Sequence, residues 1–347
     1  MRRLRRTGPR RPADTLVRAS GRPGLPAGPR TFLAATTAAL LALTASGCVT
    51  VHGEQALIPA ASPAEARQAL EDFTTAFNAA DQAYDPTRDA DRVTGAFGEI
   101  NQAGLRSRHL TNPGGNPNHR PLELTDAKFA IPRKAGWPRW FVADTDSNRD
   151  TDSGAADTRW VLVFVRGAAA EPWQAAYLSI LSPDRIPAFK REAGYAVPVA
   201  ADAGGLAVAP KDLGERYVLF LKDGRPGPFA PGPHTTEWRA ERKKAANRPG
   251  LVTQYVDQAE SRGDFAPLGL ATQDGGAVVF FATRYFERQT AAPGYRPKVG
   301  PDVKAMLTGE VKSTVTKRWV SSQTVLVNGD RAEILSRLQG VTAAEGS

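Results

Sequence analysis

The chain is 347 residues long and holds one cysteine, Cys48. A lone thiol excludes an intramolecular disulfide framework and any cysteine-cluster metal site. Histidine is nearly as scarce, at four residues. His109 and His119 flank a Gly- and Asn-rich loop without a carboxylate at ligand spacing, so they read as surface residues rather than metal ligands. Long apolar runs are missing too. The longest, residues 31–44 (TFLAATTAALLALT), has about 14 residues where a membrane span needs about 20. There is no G-x-S-x-G, no S-x-x-K with its partner motifs, no H-E-x-x-H, no P-loop and no dinucleotide fingerprint. What stays open for catalysis is carboxylates that only folding would bring together.

What is abundant at first sight is positive charge, a formal +9. Residues 1–47 hold nine arginines against one acid, Asp14, a net +8, which leaves residues 48–347 at about +1. A near-neutral body lacks the electrostatic footprint of a nucleic-acid binder. The basicity belongs instead to a leader. An arginine-rich stretch, a short apolar run and the small residues Ala45-Ser46-Gly47 before Cys48 follow the order of a secretory signal. Its end resembles a bacterial lipobox, with Ala45 where leucine is most often found. That resemblance implies cleavage between Gly47 and Cys48, a diacylglyceryl thioether on Cys48, and a palmitate-type anchor at the outer face of the cytoplasmic membrane. Two acyl chains give stable anchoring at about 0.8 kcal/mol per buried methylene.

The organisation expected is a signal peptide (1–47), a lipidated tether (48–61), a first α+β lobe (62–223), a Pro/Gly linker (224–234) and a second α+β lobe (235–347). Ser62-Pro63-Ala64-Glu65 carries a capping box with proline at the first helical position, and Ala66, Leu70, Phe73 and Phe77 line one helical face. A second, weaker helix would hold Val93, Phe97 and Ile100. Strands are expected at 122–131, 137–144, 159–167 and 173–181, as an antiparallel meander. In 159–166 both faces are apolar, so that strand should be central and covered on both sides. The stretch 216–224 reads as one more strand. Thr235 or Thr236 should cap a helix that Pro249 interrupts and 251–260 resumes, followed by strands at 267–272, 277–289 and 309–328. Each lobe would be a helix packed on a curved antiparallel sheet, similar to nuclear-transport-factor-like folds, which host both enzymes and binding modules.

The leader with Cys48, the helix at 62–84, the strand TKRWVSSQTVLV and the ending GVTAAEGS resemble a family of uncharacterised actinomycete lipoproteins. The resemblance implies a location and a shared fold, and carries over no catalytic residues.

Two clusters are candidate sites. In the acidic run 144–157, Asp146, Asn148, Asp150, Asp152 and Asp157 fall at calcium-loop spacing, but Thr151 sits where the loop's turn wants glycine. The favoured reading is a solvated hairpin loop, with calcium as the alternative. Trp137, Trp140, Trp160, Trp173 and Tyr177 form either core or a stacking platform for a sugar or peptidoglycan fragment, core being favoured. No cofactor besides that calcium is expected. The function expected is a non-enzymatic module of the cell envelope that binds a small ligand or another envelope protein. The alternative is an extracellular hydrolase acting on an envelope polymer.

Overall fold

The first helix is α1, Pro63–Ala83. Its capping box is complete: Glu65 N–H donates to Ser62 Oγ at 3.1 Å and Ser62 N–H to Glu65 Oε2 at 2.8 Å. The backbone bond from Ser62 holds the Glu65 carboxyl below its ordinary range. Tyr84 in the left-handed region ends the helix just before Asp85-Pro86. The computed structural model describes residues 56–347 apart from Pro226. The expected leader, the expected Gly47/Cys48 cleavage point and the first residues of the expected tether lie outside the described residues.

α2 runs over Gly95–Thr111, several residues beyond the expected Val93–Ile100 core. Gly95 has φ +57° there, and a Cβ on it would stand 2.5 Å from the Asp264 carbonyl oxygen. This glycine lets α2 start against a distant loop, so its role is close approach. The meander follows as β1 (Leu124–Ala130), β2 (Arg139–Ser147), β3 (Arg159–Arg166) and β4 (Gln174–Leu181), an antiparallel sheet in that order. Trp160, Leu162 and Phe164 of β3 enter a core with Phe73 of α1, while Val161 and Val163 enter a second core on the other face. The central strand is covered on both sides, as its apolar faces require.

Two stretches differ from the elements expected of them. The stretch 216–224, expected as a strand, is instead the body and C-cap of a helix, α3 (Leu213–Asp223), which ends at Gly224 in the left-handed region. Leu213, Tyr217, Phe220 and Leu221 make one buried helical face, and that face outweighs the strand-like alternation of Tyr217, Leu219 and Leu221. α4 is Thr236–Ala246, but 251–260 does not resume it. That stretch is β5, Leu251–Glu260, which leaves α4 through the Pro249-Gly250 turn. Its residues Val252, Thr253 and Val256 are β-branched and suit a strand.

The second sheet is completed by β6 (Leu268–Ala271), β7 (Ala277–Ala291), β8 (Leu307–Gly309, after the short helix Pro301–Ala305), β9 (Thr314–Val327) and β10 (Ala332–Gly346). The order is β8-β10-β9-β7-β5, with Asn247–Arg248 beyond β5 and β6 beside β7. The long final strand β10 was not foreseen. All pairings in this sheet are antiparallel except β8 with β10.

The layers follow from the cores. α1 covers one face of the first sheet, and the other face meets Val278, Phe280 and Ala282 of β7 and Val320 of β9. The far face of the second sheet takes α3 through Tyr217, Phe281 and Val325. α3 thus precedes the Pro/Gly segment in sequence yet packs on the sheet that follows it. Within that segment, Ala230 N–H donates to the Ala332 carbonyl at 2.8 Å and Phe229 is buried. Arg284 of β7 ties α2 to the second sheet, reaching Glu99 at 3.0 Å on each nitrogen and Glu260 at 2.7 Å. The fold is α+β, built on antiparallel sheets.

Candidate functional site

Helix geometry places Trp238 and Arg242, four residues apart, on one face of α4. Strand geometry places Tyr255 and Asp257 on one face of β5. Pairing then lines up Asp257 with Tyr285 of β7, and Tyr285 with Trp319 of β9. The Arg242 guanidinium lands among the rings, 4.5 Å from the centre of Tyr285, 4.7 Å from Tyr255 and 4.8 Å from Trp238. Its Nη1 donates to both Asp257 carboxylate oxygens at 2.8 Å. Both side chains are only 7% exposed. A second guanidinium, Arg337 of β10, stacks 3.8 Å from the centre of the Trp238 ring.

Charge in this cluster is unbalanced. Asp257 is the one carboxylate facing both guanidiniums, and burial pushes its pKa up although Arg242 and Arg337 pull it down. Burial, opposed by Arg242, also holds the Tyr285 phenol well above its ordinary range. Nε of Arg242, and Nε and Nη1 of Arg337, are buried with no acceptor among the described residues. Unmatched guanidinium donors in a low-dielectric setting favour an anionic oxygen strongly.

The cluster opens into a groove of about 960 Å³ between α3, α4 and β5. Leu219 and Val256 on its walls are 49% and 57% exposed. Lys222, Arg239 and Lys243 add positive charge along it, and Asp257 is its only carboxylate. The size falls in the range of ligand pockets. Cations beside exposed apolar walls are what an anion with an apolar body needs.

The expected site residues are placed elsewhere. Trp160 and Trp173 lie in the core under α1, while Trp140 and Tyr177 lie in the core between the sheets. The four buried rings therefore fall on both faces of one sheet and make no common platform, while Trp137, 37% exposed, lies outside both cores. The calcium-loop spacing does not assemble either. Asp146 Oδ1 accepts from Ser147 N–H at 2.9 Å, Asn148 Oδ1 from Glu123 N–H at 3.1 Å, and Asp150 Oδ2 from Thr158 N–H at 2.6 Å. Asp152 is exposed and Asp157 half-buried in a hairpin loop. Among the described residues no three acidic, histidine or cysteine groups converge as a metal site requires. His119, read as a surface residue, is instead half-buried with its Nδ1 2.8 Å from Asp81 Oδ2.

One buried acid could suggest catalysis. Asp89 is fully buried, and burial pushes its pKa up to about 6. Its oxygens are taken by the Asn101 amide at 2.6 Å and the Gln102 amide at 2.5 Å. It ties the loop before α2 to the middle of that helix and offers no free oxygen to a substrate.

Sequence reasoning missed Trp238, Arg242, Asp257 and Arg337. The four-residue spacing of Trp238 and Arg242 was visible. Its partners were hidden once β5 had been read as helix and β10 as no element.

Comparison with known proteins bears on the whole body. Residues 57–346 match the family described as "Domain of unknown function (DUF8094)". An uncharacterized lipoprotein of Streptomyces coelicolor is 50% identical over 317 residues, covering 90% of this chain and 94% of that protein. An uncharacterized lipoprotein of Streptomyces avermitilis is 52% identical over 324 residues, covering 91% and 96%. The chain therefore belongs to the DUF8094 family, a family of uncharacterised actinomycete lipoproteins.

Proposed function

We propose that this protein is an exported lipoprotein held by Cys48 at the outer face of the cytoplasmic membrane, and that its body is a non-enzymatic binding module. Its ligand or envelope partner would be anionic and would enter the groove between α3 and α4. The observation that carries the reading is the groove's lining, where Lys222, Arg239 and Lys243 stand beside exposed apolar walls and the single carboxylate, Asp257, is already paired with Arg242. The lipoprotein relatives support the anchor. Among the described residues, no helix is long and apolar enough to cross a membrane.

Two measurements test this. Metabolic labelling with a palmitate analogue marks the wild type and leaves Cys48→Ser unlabelled; label retained in the variant refutes the anchor. For the groove, dodecanoate and dodecyl phosphate raise the melting temperature, since a ligand that binds only the native state stabilises it. The cationic amphiphile dodecyltrimethylammonium does not. Leu219→Asp, at an exposed position, removes the anion effect. An equal rise with the cation, or a rise that survives Leu219→Asp, rejects the groove as the site.

A further inference from the structure

We propose that the end of the body from which the tether emerges is a docking face for an anionic bilayer. Ile58–Pro59 pairs with Arg133–Lys134, so the first described residues are sewn onto the segment before β2. Ile58 stands ten residues after Cys48, and covalent geometry caps their separation at about 35 Å. An acylated Cys48 therefore keeps this end of the molecule near the headgroups.

The chemistry at that end suits the neighbour. Leu57 is 66% exposed, Ile58 41% and Trp137 37%. Tryptophan is favoured at the bilayer interface, where an apolar ring with a polar edge meets both environments. Around these side chains stand four cations. Arg139 and Arg166 lie 4.4 and 5.6 Å from the centre of the Trp137 ring, and Arg133 lies 4.9 Å from the centre of Tyr195. Lys134 is the fourth, half-buried beside Arg133. Among the described residues only Arg166 has an acidic partner, Glu65 at 3.6 Å, while Arg133, Lys134 and Arg139 have none. Arg139 Nε is in addition buried without an acceptor. An apolar and aromatic patch flanked by cations, three of the four without an acidic partner among the described residues, is complementary to a surface that is apolar inside and anionic at its headgroups. This inference depends on the lipoprotein reading only for the direction in which the face points.

The test uses the chain from residue 48 onward carrying Cys48→Ser, so that no acyl chain contributes. Co-sedimentation with vesicles containing phosphatidylglycerol recovers the protein, and vesicles of phosphatidylcholine alone recover much less. Raising salt to about 0.5 M weakens the binding, because screening shortens the reach of the charges. Arg133→Glu with Lys134→Glu lowers the partition coefficient about tenfold or more, from two attractions turned into repulsions. Lys312→Glu, at an exposed lysine before β9, has a much smaller effect. Trp137→Ser removes the quenching of tryptophan fluorescence by brominated lipid. Circular dichroism confirms that each variant is folded. No binding to either vesicle, equal binding to both, or a double reversal no stronger than Lys312→Glu overturns the proposal. Failure here with Cys48 labelling intact rejects only the docking face; vesicle binding with labelling absent rejects only the anchor.

Discussion

Asp257→Ala is expected to lower the stability of the body by about 3–5 kcal/mol, because it strands a buried guanidinium among three aromatic rings. Arg242 has one carboxylate partner, already lacks an acceptor on Nε, and has almost no access to water. Removing Asp257 leaves a desolvated charge that nothing compensates except the ring faces, each contributing on the order of 1 kcal/mol. A loss of that size is a large share of the 5–15 kcal/mol typical of a folded domain. The double variant Arg242→Met with Asp257→Leu should recover most of it, since apolar residues of similar volume need no solvation. Urea unfolding midpoints of the two single variants and the double variant measure the coupling directly. A cost below about 1 kcal/mol for Asp257→Ala would mean that water reaches the pair, contrary to its burial. The double variant also tests the groove. If it folds and anionic amphiphiles still stabilise it, Arg242 is a structural residue and not the anion site.

The second large effect is on pH dependence. The folded pKa of Asp89, about 6, lies above its ordinary value of 3.8, chiefly because the side chain is buried; the amides of Asn101 and Gln102 oppose the shift. A raised carboxyl pKa means that the folded state holds a proton the unfolded state has lost. Its stabilisation is fully present below pH 3.8 and disappears as pH rises through about 6. Integrated from pH 7.5 down to 4.5, this one group should add about 2 kcal/mol of stability on acidification. Asp257, shifted in the same direction by burial, adds to the trend. Glu65, Asp85, Asp126 and Asp274, whose pKa values are lowered, push the other way and lose stability as pH falls. The isolating measurement is therefore the difference between wild type and Asp89→Asn, which cannot titrate. Stability curves that stay parallel from pH 4.5 to 7.5 would show that Asp89 is hydrated in solution. Asp89→Ala should be destabilising at every pH, because it leaves two amides without their acceptor, at about 1–3 kcal/mol each.

Some elements were legible because their information is local. The Ser62 capping box, Pro63 and the apolar stripe through Phe73 place α1 within about a residue of its observed ends. The meander was equally plain, since β2, β3 and β4 are bounded by turns and rich in β-branched and aromatic residues. The errors fell where two periods fit one stretch. In 251–260, Leu251, Val252, Tyr255, Val256 and Ala259 satisfy a helical spacing as well as a strand, and pairing with β7 decides for the strand. In 213–223 the same ambiguity resolves the other way, because Tyr217 and Phe220 need the depth of the core against Phe281 and Phe229.

By itself the sequence determined the single cysteine, the confinement of net charge to the residues before it, the α+β class and the helix that opens the body. Each rests on residues adjacent in the chain or one turn apart. Only the tertiary structure decided which aromatics are core and which polar groups meet. Trp140 and Trp160 look alike in sequence but belong to cores on opposite faces of one sheet. Arg242, Asp257, Tyr285 and Arg337 come from four elements spread over nearly a hundred residues. Their encounter depends on sheet register and on where α4 crosses the strands. Those are long-range choices, set by packing that no short window of sequence contains.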